Sequence, residues 1–409
     1  MISVAEADRL LARFRDPWPA ETVPLHAAAG RFLREDIRAD RPYPAQDRSY
    51  MDGIAVAFDD WERGARAFEI AGIARAGEPR GSLSRAGACV EIMTGAAIPE
   101  GADTVIAYED LELADGVARV RPSVSSHRGR HVHARAGDCA AGDVLVAAGA
   151  RLNAAQIAVA ASVGATRLAV SQLPRVAIVS TGDELVDVSA TPADHQLRAS
   201  NGAALVALFA PWAEVSERRC GDDPVALAAA LSEALSGSDL LLVTGGVSAG
   251  KFDLVPDTLA ALGVEKVFHK IAQKPGKPLW FGTRSATQDP ERSGSAEEAP
   301  RLVFGLPGNP VSTLVCARRY VLPLLWAKSG KVASPASETF DGTVPASSLT
   351  RFLSVLVEET DGNRRVVSVP INGSGDFAGF GRSDGFVEVP AGENVRETGE
   401  KFSFFPWLP

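Results

Sequence analysis

The apolar positions change their spacing several times along the chain, and each change marks a different kind of structure. At the start, Ser3-Val4-Ala5-Glu6 is a capping box, and Val4, Ala7, Leu10, Leu11 and Phe14 share one helical stripe that Pro17-Trp18-Pro19 ends. From Gly30 to about Gly149, short apolar runs alternate with Gly, Pro and Asp turns, which predicts strands and loops. Asn153-Ala154-Ala155-Gln156 opens a second capped helix that stops at Gly164. That helix is expected to pack with the first, leaving the stretch between them as an inserted β-rich lobe.

After Pro174 the runs become continuous. Val176–Val179 and Leu240–Val243 have the uniform apolar character of parallel strands buried on both faces. A helix between them starts at Asp223 (N-cap) and Pro224 (first turn), with Leu227, Leu231 and Leu235 on one side. Leu302–Leu306 is a third such strand, leading through Asn309-Pro310 into a helix over Val311–Leu325. Strand and helix in alternation predict a doubly wound, mostly parallel sheet with right-handed crossovers. Thr283–Pro300, rich in Ser, Glu and Ala, reads as a solvated loop. From about Ala333 the period falls to two (Phe352–Val357, Val366–Val369), which predicts a small C-terminal β-barrel. The expected fold class is therefore multidomain α/β plus β. A helical and linker domain takes 1–45 with 142–174, the inserted lobe 46–141, the central domain 175–328 and the barrel 333–409.

Composition narrows the setting. The chain has 409 residues, 46% of them hydrophobic and 23% charged, which suits a folded protein of several domains. No stretch approaches the roughly 20 uninterrupted apolar residues of a membrane span, and the start of the chain does not read as a signal peptide. Cys89, Cys139, Cys220 and Cys316 lie far apart with no CxxC spacing, so neither a disulfide framework nor a structural zinc is expected. A cytoplasmic location follows as the expectation. The net charge of −9 leaves no basic surplus for nucleic acid, so an anionic ligand would need cations gathered locally.

Those local features sit at the predicted strand ends, where an open parallel sheet binds ligands. The first strand runs into Ser180-Thr181-Gly182-Asp183-Glu184. The second runs into Thr244-Gly245-Gly246-Val247-Ser248-Ala249-Gly250-Lys251-Phe252-Asp253, and the third into Gly305-Leu306-Pro307-Gly308-Asn309-Pro310. Glycines allow a close backbone approach to phosphate, and Thr181, Thr244 and Ser248 add hydroxyls. Asp183, Glu184 and Asp253 put carboxylates beside that anion, which a bridging Mg²⁺ would reconcile, although Asp183 could equally cap a following helix. Lys270, Lys274 and Lys277, in a loop fixed by Lys274-Pro275-Gly276-Lys277-Pro278, supply the cations.

Three other patterns lead elsewhere. Gly245–Lys251 fits GxxxxGK, yet Phe252 stands where a P-loop needs its hydroxyl. His127, His131 and His133 match no metal template. GxGxxG does not occur.

Taken together the motifs resemble those of the molybdopterin molybdenumtransferase family, which includes the gephyrin E domain. The lobe contributes Ser49-Tyr50-Met51-Asp52-Gly53-Ile54-Ala55 and Ile92-Met93-Thr94-Gly95 through Asp103. The central domain contributes Ser180–Leu185, Gly245–Gly250, Lys274–Pro278 and Gly305–Ser312. The resemblance implies an elongated homodimer. It also implies a Mg²⁺-dependent reaction in which molybdate and adenylylated molybdopterin yield AMP and molybdenum on the dithiolene. The upstream adenylyltransferase is implied as a partner; no nucleic acid or membrane is.

Carried onto this chain, the resemblance gives Glu184, Asp253 and Asp222 (or Asp223) to metal or to the attacking oxygen. It gives Lys270, Lys274 and Lys277 to phosphate and molybdate. Thr181, Gly182, Gly245, Gly246, Ser248 and Gly250 would seat the substrate, and Pro307, Gly308, Asn309 and Pro310 would wall it. Asp52, Thr94 and Asp138 match family positions in a lobe that reaches the partner protomer, and Ser374 matches one in the barrel. Ile54, Tyr50, Lys251 and Ala199 depart from the family's commonest residues. Two other functions compete: a scaffold that kept the fold for protein binding, and the adenylyltransferase of the preceding step. The crowded carboxylates and lysines argue against the first, the extra lobe and barrel against the second.

Overall fold

The structure, a computed structural model, describes residues 1–247, 254–285, 299–331, 335–360, 362–373 and 375–408. The continuous apolar runs form the strands Arg175–Thr181, Leu240–Thr244 and Arg301–Leu306, which lie side by side and parallel. Glu214–Cys220 extends the sheet in parallel beyond the first of these. On the other edge, Trp280–Arg284 and Glu265–His269 are added antiparallel. Side chains alternate across the sheet. Val176, Ile178, Leu240, Leu242 and Phe304 enter one core with the helices Val4–Ala12 and Ser200–Phe209. Ala177, Val179, Leu241, Val243 and Val303 enter the other, with Leu227, Leu231 and Leu235 of the helix Pro224–Gly237. Helices on both faces make this the doubly wound domain that the sequence predicts.

Capping follows the sequence as well. Ser3 Oγ accepts from the Glu6 N–H at 3.1 Å, and Asp223 Oδ1 accepts from the Ala226 N–H at 2.8 Å. The Glu6 side chain, however, pairs with Arg9 rather than closing the capping box. The predicted helix over Val311–Leu325 is three pieces: α-helix at Pro310–Cys316, a π turn at Ala317–Val321, and α-helix at Leu322–Lys328. Pro323 accounts for the break. It has no N–H to give the Arg319 carbonyl, and in an unbroken α-helix its ring would strike that oxygen, which a wider turn avoids.

At the C-terminus the period-two segments close into a five-stranded barrel of Ala336–Asp341, Thr350–Thr360, Asn363–Ser368, Gly385–Val389 and Lys401–Pro406. Phe340, Val355, Val366, Val387 and Phe404 fill it. The short strand Gln273–Lys274 adds to its outside, parallel to Thr350–Arg351.

The chain sorts into two compact units: 1–35, 148–153 and 167–409 in one, 36–147 with 154–166 in the other. The second unit carries a six-stranded sheet and two small apolar cores, one around Ile54, Phe68 and Ile106, the other around Val90, Ile92 and Val105. The helix Ala154–Ser162 groups with this second unit, not with the first helix as expected. Of its residues only Ala160 is buried, so its apolar side chains are not covered by helix-on-helix packing. No helix among the described residues is long and apolar enough to cross a membrane.

Candidate active site

Where the parallel strands end, the larger unit opens into a cleft of about 900 Å³. Parallel strands deliver all their carboxyl ends to one edge, so three segments distant in sequence converge there. Thr181, Gly182 and Glu184 come from the first, Gly245, Gly246 and Val247 from the second, and Pro307, Gly308 and Asn309 from the third. Glu184, Lys274 and Asn309 therefore face one cavity.

Side chains lace these ends together. The Asn201 Nδ2 amine donates to Thr244 Oγ1 at 2.9 Å and to the Gly308 carbonyl at 2.7 Å. Thr244 in turn donates to the Pro307 carbonyl at 3.3 Å, and Thr181 to the Thr244 carbonyl at 3.4 Å. A hydroxyl has one proton, so Thr181 and Thr244, read from the sequence as ligand donors, direct theirs into the protein. Val247 is held by His269, whose Nε2 lies 3.1 Å from its carbonyl; the carbonyl can only accept, which places a proton on Nε2. Burial pushes the His269 pKa down.

Glycine is required at two of these turns. Gly245 has φ +94°, and a Cβ there would come within 2.5 Å of the Thr181 carbonyl oxygen. Gly182 has φ +144°, and a Cβ would meet the Glu184 carboxylate at 2.6 Å, so the glutamate lies folded over it.

Acidic and basic groups occupy the same cleft. Glu184 and Asp222 both line it. Asp183 does not cap a helix: no helix follows it until Ser200, and its Oδ1 accepts instead from the Asp222 N–H at 3.0 Å. Asp223 is committed as the cap already described. Lys274, Pro275, Gly276, Lys277 and Pro278 form the basic wall, and Gly276 can approach the buried Cys316 sulfur only because it lacks a side chain. The barrel supplies Arg351, Ser368, Pro370 and Gly373. Arg351 is the addition that sequence reasoning missed. It sits in an ordinary alternating strand, and only its register opposite Lys274 brings it to the cleft. Among the described residues no carboxylate pairs with Lys274, Lys277 or Arg351.

Other expected residues lie elsewhere. Lys270 does not line the cleft; it has φ +70°, and its backbone bonds Ile2 and Leu279. Pro310 starts its helix and does not line the cleft. Ser248, Gly250, Asp253 and Ser374 lie outside the described residues. Asp52, Thr94 and Asp138 belong to the smaller unit. There, Asp52 Oδ1 accepts from both the N–H (2.6 Å) and the O–H (2.8 Å) of Thr94, and these bonds lower its pKa. Asp138 Oδ1 lies 3.0 Å from His133 Nε2. His131 stacks edge-on with Tyr50. Among the described residues no three His, Cys, Asp or Glu side chains converge as a metal cage.

Comparison with known proteins agrees with this architecture. Residues 2–164 match the MoeA N-terminal region (domain I and II), 177–327 a probable molybdopterin binding domain, and 342–407 the MoeA C-terminal region (domain IV). The molybdopterin molybdenumtransferase of Synechocystis sp. is 36% identical across 100% of both chains. That of Bacillus subtilis is 30% identical, covering 99% of this chain and 96% of its own. The crystal structure of molybdopterin biosynthesis moeA protein from Pyrococcus horikosii superposes with a TM-score of 0.81 at 28% identity, covering 100% of this chain and 99% of that one. With every region matched in order and over its whole length, the chain belongs to the molybdopterin molybdenumtransferase family.

Proposed function

We propose that this protein transfers molybdenum from molybdate to adenylylated molybdopterin and releases AMP. The observation that carries the reading is the shared cavity of Glu184, Lys274 and Asn309, where carboxylates from the central sheet's strand ends face cations from the strand and loop beside the barrel. Lys274, Lys277 and Arg351 would bind molybdate and phosphate oxygens, with the guanidinium adding a planar fork to the two ammonium charges. Gly245, Gly246 and Gly308 would let backbone N–H groups approach the substrate. Glu184 and Asp222 offer oxygen ligands only, a donor set that suits Mg²⁺, which is usually held by one or two carboxylates together with substrate phosphates. When bound, that cation would offset phosphate charge during cleavage of the adenylate. Glu184 would orient the attacking oxygen.

The remaining parts of the reading extend beyond this cleft. Asp253 is proposed to share in metal binding, Ser248, Gly250 and Ser374 to bind substrate, and Lys270 to contribute positive charge. Asp52, Thr94 and Asp138 would act on a partner protomer within a homodimer, in the cytoplasm, with substrate supplied by the upstream adenylyltransferase. The four-part division drawn from the sequence belongs to the same proposal. Incubating the purified protein with adenylylated molybdopterin, Mg²⁺ and molybdate tests the reaction. AMP release that depends on molybdate is expected, and bound substrate without AMP release would overturn the assignment.

A further inference from the structure

The π turn at Ala317–Val321 presents three consecutive side chains to elements that build the basic wall. Arg318 Nε donates to the Pro406 carbonyl on a barrel strand at 2.7 Å. Arg319 Nε donates to Glu388 of the next barrel strand at 2.6 Å, while its two terminal nitrogens hold both oxygens of Asp8, at 2.8 and 2.9 Å. The Tyr320 hydroxyl donates to Gln273 Oε1, and the Gln273 amine donates to the Gly276 carbonyl at 3.1 Å. Gln273 is 0% exposed and Tyr320 2%, so neither can exchange its partner for water.

The positions these bonds fix are those of the cleft cations. Gln273 is the residue before Lys274. Glu388 is the register partner of Phe352, the residue after Arg351. Lys274 and Arg351 are themselves register partners across the parallel strand pair. Two like charges held in register repel each other unless an anion lies between them, so their separation needs an external restraint. The π turn bonds the first strand directly, through Gln273, and the strand of Arg351 through its neighbour Gly385–Val389.

We propose that Arg319 and Tyr320 are positioning residues for oxyanion binding: acting through Glu388 and Gln273, they hold Arg351 and Lys274 at the spacing molybdate requires. Neither touches the substrate. The proposal rests on the reading of this cleft as the molybdate site.

The test is molybdate-dependent AMP release by the full chain. Tyr320→Phe removes only the hydroxyl, and Glu388→Gln removes only a charge. Each is expected to raise the molybdate KM about tenfold, at the lower end for residues that orient a ligand, with kcat within about twofold of wild type. Leu235→Ala, on the opposite face of the sheet, controls for stability and should lower the melting temperature without moving KM. Lys274→Ala tests the underlying reading. If it raises KM while Tyr320→Phe and Glu388→Gln match the Leu235→Ala control, the positioning role is wrong and the site assignment stands. A rise in only one of the two overturns the half assigned to the other, and if one variant does not fold the other decides. If Lys274→Ala leaves KM unchanged, site and proposal fall together.

Discussion

Asp183 and Asp222 tie two strand ends together through their backbones. Asp183 Oδ1 accepts from the Asp222 N–H at 3.0 Å, and Asp222 Oδ2 lies 3.4 Å from the Asp183 N–H. A carbonyl oxygen on an amide can take the place of the first acceptor. Asp183→Asn should therefore leave AMP release within about twofold of wild type, whereas Asp183→Ala should cost about 1 kcal/mol of stability for the lost acceptor. Thermal melts and initial rates check both. Equal loss of activity in the two variants would give Asp183 a role that depends on its charge.

Thr94 gives both its N–H and its O–H to one oxygen of Asp52, and the backbone bond followed by the side-chain bond holds that carboxyl below its ordinary pKa. Since the folded pKa is depressed, the stabilisation is present above the ordinary carboxyl value and is lost as pH falls through the folded one. Thr94→Ala should move the Asp52 pKa upward, with Thr94→Ser restoring most of the shift. Carboxyl titration by NMR measures it directly. An unmoved Asp52 in Thr94→Ala would leave the whole depression to the backbone bond.

Gly245 and Gly237 differ in what a methyl group would meet. At Gly245 the backbone is left-handed and the methyl would press on the Thr181 carbonyl. Gly237, the last residue of its helix, has open space around it. Gly245→Ala should lower stability by about 1–3 kcal/mol. Gly237→Ala should be neutral or raise stability by up to about 1 kcal/mol through the unfolded chain. Denaturant titration of both proteins gives the comparison.

What was legible in the sequence divides along local and non-local lines. Val176–Val179, Leu240–Val243 and Leu302–Leu306 declared buried parallel strands because both of their faces are covered, and the Asp223-Pro224 cap is a local signal with one outcome. From these strands alone, Thr181–Glu184, Gly245–Val247 and Pro307–Asn309 could be assigned to one edge. Arg351 could not, because period-two alternation gives a strand its faces but not its neighbour. The π turn did leave a trace in Pro323, which sits inside the predicted helix and should have interrupted it. The bond Asp183 makes was hidden for a related reason: its partner Asp222 is 39 residues away, and of the two roles left open by the sequence the helix cap is the one that does not form.

Glu184 and Lys274 enter the cleft from different elements, the first on a strand end of the central sheet and the second on the strand beside the barrel. Their removal should therefore damage different steps. Lys274→Ala takes away one unit charge facing an anion. It should lower kcat/KM for molybdate at least about tenfold, or roughly 1.4 kcal/mol, mostly through KM. Glu184→Gln preserves shape while losing the carboxylate charge, and should lower kcat at least about tenfold. Ionic strength separates the two. Screening shortens from about 10 Å at 0.1 M salt to about 3 Å at 1 M, so the wild-type molybdate KM should climb with salt. Lys274→Ala should show a shallower climb, and Glu184→Gln should keep the wild-type slope. Parallel slopes in all three proteins would mean that Lys274 does not meet the oxyanion, whatever its effect on rate.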